Sequence, residues 1–237
     1  MSKNTDNITV SKVKPGEFDE LLELYIDLFH DREPLTRKIG FSKELMRTIA
    51  HTIYAGENVN SLSREELWWV ARDRTESNRG VGFIVCDDPS SGGEPKPPEN
   101  LTKEETAKIS AMMKTLEELR SPLKDRISSG PGNCLHISAI GVSPGYEGSG
   151  IATRLLQAAL SEAERKNFLN AFAECTSIPS RRCHEKLGFT CINSITLNNL
   201  EGDGSPPSPE PGLEIYLMLK ELNPDASSDP TREGCAT

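Results

Sequence analysis

One short stretch constrains this chain more than any other: the turn Gly145-Tyr146-Glu147-Gly148-Ser149-Gly150, set between an apolar run and an amphipathic one. Leu135 to Val142 is apolar and reads as a strand, while Ile151, Leu155, Leu156, Ala159 and Ala163 recur at helical spacing. Glycine lets a backbone approach a ligand closely, and the first N–H groups of a helix have no internal partner. The helix dipole adds roughly half a positive charge at that end. A strand, glycine turn and helix in this order therefore make either a tight turn or a cradle for a pyrophosphate.

The rest of the chain supplies an α/β framework around that unit. Ile8 to Val13 alternates as a half-buried strand, and Pro15-Gly16 ends it. Phe18, Leu21, Leu22, Tyr25, Leu28 and Phe29 mark a helix that stops before Pro34. A second helix is predicted from Ser42, a good N-cap, through Leu45, Ile49 and Ile53 to Gly56. Leu67 to Ala71 and Val81 to Cys86 read as a hairpin. A Pro/Gly/Ser-rich loop over Asp87 to Asn100 leads into the capping-box pattern Thr102-Lys103-Glu104-Glu105, which opens an inserted helix ending near Pro122. Ala171 to Cys175 is a short strand, Ser180 to Lys186 a short helix, and Phe189 to Leu197 and Leu213 to Leu219 the last strands. Glu201 to Gly212, with four prolines, reads as a mobile loop, and the polar stretch 223–237 as a disordered tail.

Length and composition bound the function. The chain has 237 residues, 35% of them hydrophobic, which suits one domain over 1–222, with 87–132 holding the loop and the inserted helix. No run approaches the ~20 apolar residues of a membrane helix, and the polar start lacks a signal-peptide pattern, so a cytoplasmic protein without membrane contact is expected. The six cysteines form no CxxC pair and no His stands at zinc-finger spacing, so no metal site is expected. A net charge of −9 argues against nucleic-acid partners and suits a cationic small molecule.

With these residues in view, Ile137 to Phe189 resembles the signature half of the GNAT N-acetyltransferase superfamily. Gly148-Ser149-Gly150-Ile151-Ala152 is similar to the family's coenzyme A loop, and Glu185-Lys186-Leu187-Gly188-Phe189 to its Glu-Lys-Leu-Gly-Phe box. The resemblance, which extends over roughly Ile8 to Leu222, implies a GNAT fold, a mixed and mostly antiparallel sheet of about seven strands flanked by helices. It also implies acetyl-coenzyme A as cosubstrate, held by Ile140, Gly141, Val142, Glu147, Gly148, Ser149, Gly150, Ile151 and Ala152. The chain departs from the family where Gly145 replaces an Arg or Gln and where Glu147 replaces a common basic residue. The backbone cradle survives this change, with weaker coenzyme binding expected.

Phe29-His30-Asp31-Arg32-Glu33-Pro34-Leu35 and the inserted helix are similar to the insect arylalkylamine N-acetyltransferases. That branch implies Glu33 as general base acting on the amine, and Thr176 and Ser180 as the catalytic hydroxyls, with Ser180 protonating the leaving thiolate. Arg32 stands where an acidic residue often precedes the base. Vertebrate serotonin acetyltransferases place two histidines where this chain has His136 and Ser138. Read as residues alone, Glu33 is also a helix-terminal glutamate, Thr176 and Ser180 are helix caps, His136 a strand residue with a satisfied ring, Cys175 a buried thiol and Trp68-Trp69 core. The implied reaction is direct attack of a small primary amine, an arylalkylamine above all, on the thioester. Other acceptors (a polyamine, an amino acid, a protein N-terminus) and a non-catalytic coenzyme-A-binding module are the alternatives.

Overall fold

The computed structural model describes residues 5–55, 66–91, 98, 101–127, 130–197 and 212–222. Its strands are β1 (Ile8–Lys12), β2 (Trp68–Asp73), β3 (Arg79–Asp87), β4 (Cys134–Val142), β5 (Asn170–Cys175), β6 (Thr190–Leu197) and β7 (Leu213–Glu221). They form one sheet in the order β1-β2-β3-β4-β5-β7-β6. Every neighbouring pair is antiparallel except β4 and β5, which run parallel. This is the mixed seven-stranded sheet expected from the sequence. The proline-rich loop at 201–212 falls almost wholly outside the described residues, and the tail at 223–237 wholly so.

Helices α1 (Phe18–Arg32), α2 (Pro34–Ile39), α3 (Lys43–Ala50), α4 (Lys103–Arg120), α5 (Ile151–Arg165) and α6 (Ile178–Lys186) cover the sheet. Helix α1 buries Leu21, Leu22, Tyr25, Ile26 and Leu28, the stripe its spacing predicts. Pro34 does not simply end the helical region. It opens α2 at a first-turn position, where its missing N–H costs nothing, and Gly40 closes that helix in the left-handed conformation. Helix α3 starts on its predicted Ser42 cap, is α-helical to Ala50 and continues as a wider π-helical turn over His51–Ala55, while Gly56 lies outside the described residues. The inserted α4 carries the full reciprocal capping box of Thr102 and Glu105. It docks through fully buried Leu119, whose carbonyl accepts from the Asn193 side-chain amide at 2.9 Å.

Two glycines show how the sheet is sandwiched. A side chain at Gly82 would meet Ile151 and Leu155 of α5, whereas one at Gly141 would come within 2.8 Å of the Phe83 ring and 3.2 Å of Leu28 on α1. Gly82 and Phe83 are adjacent on β3 and so face opposite ways. Helices α5 and α1 therefore press on opposite faces at the same place.

Parallel pairing between β4 and β5 runs from Cys134↔Asn170 to Ile137↔Ala173 and then stops, although β4 continues to Val142 and β5 to Cys175. The two strands splay. Residues 138–142 keep β3 on one side and, among the described residues, have no strand on the other. Opposite β3, Ala139 faces Val85 and Ile137 faces Cys86, so Ser138 is an extra residue, a bulge beside the splay. The glycine turn and the segment after β5 lie at the open end of this gap.

Candidate active site

The glycine turn is anchored from below and open above. Tyr146 is 2% exposed, and its hydroxyl donates to the Asp73 carboxylate on β2 at 2.8 Å. The Ser143 N–H donates to the Val81 carbonyl at 2.8 Å, and the Ser149 hydroxyl donates to the Tyr146 carbonyl. Gly148 and Gly150 take φ of +70° and +81°, a region where other residues are strained, and nothing stands within 4 Å of where a side chain would project. Gly150 is the N-cap of α5 and contributes no side-chain cap. The first N–H groups of α5, on Ile151 and Ala152, thus begin a helix end left for an external acceptor.

Glu147 folds back on the start of the turn. Its carboxylate accepts the Gly145 N–H at 2.6 Å and pairs with the Arg32 guanidinium at 2.7 Å, both side chains being 45% exposed. Its own backbone N–H first, and after the opposing cost of burial Arg32 and Gly145, hold the carboxyl below its usual range. Ile140 and Val142 lie partly buried along the splay. Gly141 has an additional reason to be glycine, since Phe83 and Leu28 fill the space beside it.

Glu33 stands at the corner between α1 and α2. As the N-cap of α2 it accepts the Leu35 N–H at 3.0 Å and the Thr36 N–H at 2.5 Å, and it also accepts the Thr176 hydroxyl at 2.6 Å. The structure thus brings together two sequence-predicted site residues 143 positions apart. Neither Thr176 nor Ser180 caps α6; Ser177 does, accepting the Ser180 N–H at 3.3 Å. The Ser180 hydroxyl instead donates to the Cys175 sulfur at 3.4 Å. One turn before Glu33, Phe29 stacks on Tyr25 with centroids 4.5 Å apart, and Tyr54 meets Tyr25 edge-on at 5.4 Å. Phe29 and Tyr54 are only partly buried, and the Glu33 charge, after burial and Tyr54, helps push the Tyr25 phenol up. The Tyr54 hydroxyl shares a 2.7 Å hydrogen bond with Ser138.

His136 is the centre of a closed charge network. Its Nε2 lies 2.9 Å from Glu174 and its Nδ1 3.3 Å from Asp87, its ring stacks on Phe172 at 4.6 Å, and Arg120 of the inserted helix pairs with Glu174. Burial lowers its pKa, but Asp87 and Glu174 outweigh this and raise it to about 9. Burial likewise raises that of Glu174, while His136 and then Arg120 bring it down to about 2. Both ring nitrogens are engaged by carboxylates, which favour the imidazolium form.

Cys175 is the buried thiol its sequence setting suggests, and His184 lies beside it, Nδ1 to sulfur 3.4 Å. A strand end and the inner face of the next helix meet at no fixed sequence separation, so only the packing reveals the pair. It is not an activated nucleophile. Burial pushes the thiol up to about 12, against the bond from Ser180, and burial also lowers the imidazole. The His184 Nδ1–H is committed to the Ser180 carbonyl at 2.9 Å. Trp68 and Trp69 are core, 2% and 5% exposed.

The model of the Acetyltransferase (GNAT) family matches residues 26–189. Among solved structures, the C-terminal condensation domain of Ebony in complex with beta-alanyl-dopamine superposes with a TM-score of 0.72 at 18% identity, covering 91% of this chain and 99% of that one. Arylalkylamine N-acetyltransferase 2 from Aedes aegypti gives 0.68 at 17% identity, over 92% and 100% of the two chains. A Drosophila melanogaster polyamine N-acetyltransferase that catalyses the formation of N-acetylagmatine gives 0.60 at 20% identity, over 91% and 100%. At such identities the likeness is one of fold.

Proposed function

The chain belongs to the acetyltransferase (GNAT) family, and we propose that within it this protein transfers acetyl from acetyl-coenzyme A to a small arylalkylamine. The coenzyme pyrophosphate would lie on the N–H groups of 148–152, and the pantetheine arm would run along the free edge of β4 at Ile140 to Val142. Glu33 serves as general base. An alkylammonium has a pKa of about 10 and no lone pair to attack with, so a proton must leave before the thioester carbonyl can be attacked. Thr176 orients the Glu33 carboxylate; as coenzyme A departs, Ser180 gives its proton to the thiolate and regains one through solvent from the acetylated nitrogen, which sheds its second proton as the amide forms, while Glu33 releases the first to solvent. The nitrogen adds to the acetyl carbonyl, the C–S bond breaks, and no covalent enzyme intermediate forms, in keeping with the neutral Cys175 and His184.

The observation that carries this reading is the 2.6 Å contact between Thr176 and Glu33, which joins the acceptor corner to the end of β5 at the splay. The aromatic wall of Phe29, Tyr25 and Tyr54 beside that carboxylate supports an amine bearing a ring, whose ammonium and aromatic ends would each find a partner. Free-thiol release from acetyl-coenzyme A, measured with arylalkylamines beside agmatine and linear polyamines, tests it. Preference for the ring-bearing amines is expected. Turnover of polyamines alone would refute the acceptor class, and coenzyme binding without turnover of any amine would refute transfer.

A further inference from the structure

The family's cationic or amide side chain at the start of the phosphate turn is replaced here by Gly145, where nothing lies within 4 Å of a projected side chain. A positive charge is nevertheless present at the turn, delivered from the last residue of α1. Arg32 reaches the loop through its 2.7 Å contact with Glu147, and that carboxylate is itself seated on the Gly145 N–H. The turn thus already binds an anion by a backbone N–H and a guanidinium, the pairing a phosphate oxygen would use.

From this arrangement we infer that Arg32 is a pyrophosphate ligand of the donor, held in place by Glu147 until the coenzyme arrives. The inference rests on the acetyl-coenzyme A reading above and adds a residue and an exchange to it. On binding, a phosphate oxygen replaces the Glu147 carboxylate at both Arg32 and the Gly145 N–H, and Glu147 swings into solvent. Both side chains are nearly half exposed, so the exchange needs only rotamer changes and no rearrangement of the core. The two charges reach one site from different elements, the end of α1 and the glycine turn. Glu147 is a competitor for Arg32 rather than a fixed repulsive charge.

A double-mutant cycle on donor affinity separates these roles, with acetyl-coenzyme A and acetyl-pantetheine as probes. Arg32→Gln is expected to weaken acetyl-coenzyme A about tenfold, with the penalty confined to the donor that carries the pyrophosphate and shrinking as salt is added. Glu147→Gln is expected to tighten acetyl-coenzyme A severalfold in the parent chain and to give most of that gain back in the Arg32→Gln background. Non-additivity of this kind is the signature of two groups sharing a partner. Equal gains from Glu147→Gln in both backgrounds, or unchanged affinity in Arg32→Gln, would overturn the inference. An equal penalty for acetyl-pantetheine would also overturn it, because the arginine would then act away from the phosphates. Failure of the parent protein to bind acetyl-coenzyme A is a different result, and it would remove the underlying donor assignment.

Discussion

Replacing Glu33 by Gln separates the cap that the structure shows from the base that we propose. The cap is the smaller of the two. Glu33 takes two backbone N–H groups of α2, and glutamine keeps one carbonyl oxygen for them, so the loss should fall near roughly 0.5–1 kcal/mol of stability. The catalytic loss is larger, since removing a positioned general base usually costs about 10²- to 10⁴-fold in rate, or roughly 3–5 kcal/mol of barrier. The two losses also differ in pH dependence. With an amine of pKa about 10, each pH unit from 7 upward supplies about tenfold more free base that needs no deprotonation. The deficit of Glu33→Gln relative to the parent should therefore shrink steadily between pH 7 and 10, while its melting temperature stays a constant few degrees low. The assay is kcat/KM by thiol release at saturating acetyl-coenzyme A, paired with coenzyme titration and thermal melts across the same range. A deficit that does not change with pH, or near-parental activity at pH 7, would refute the base assignment and leave Glu33 a cap.

Other consequences follow from the same geometry. Gly150→Val forces a β-branched residue to φ near +81° and pushes a side chain into the cradle, so acetyl-coenzyme A should bind at least about tenfold more weakly, about 1.4 kcal/mol, in a folded protein; unchanged binding would remove the turn from the site. Tyr146→Phe leaves one bond of the buried Asp73 carboxylate unmade, which should cost about 1–3 kcal/mol in a thermal or urea melt and weaken the coenzyme by loosening the turn. His136 is held above its ordinary 6.5 at about 9, so its contribution to stability is complete below pH 6.5 and is lost as pH rises toward 9. Glu174, held down to about 2, contributes above its ordinary 4.5 and loses its share as pH falls. His136→Asn should abolish the alkaline part of the parent's melting-temperature profile, and identical slopes in the two proteins would show that the imidazolium does not stabilise the fold.

The residues that were legible in the sequence, and those that were not, differ in the range of the interaction that places them. Strand β4, the glycine turn and α5 could be read because each rests on local rules: alternation, positive φ and the spacing of an apolar stripe. The capping box of α4 and the Ser42 cap of α3 are equally local and appear as expected. Helix α2 escaped because six residues give too short a period to detect, although Pro34 and Gly40 marked both its ends. The bulge at Ser138 escaped for another reason, since register is a property of a strand pair and β3 gives no hint of where β4 will slip against it. That slip matters chemically. Two positions two residues apart on a regular strand would share a face, yet His136 here closes a network with Glu174 and Asp87 while Ser138 turns to Tyr54. The same limit applied to Arg32 and Glu147. Each reads from the sequence as a departure that weakens the site, one by removing charge from the amine side and the other by adding it to the phosphate side. Only the packing shows the two side chains paired with each other, a contact between the end of α1 and the glycine turn that leaves no local signature in the sequence.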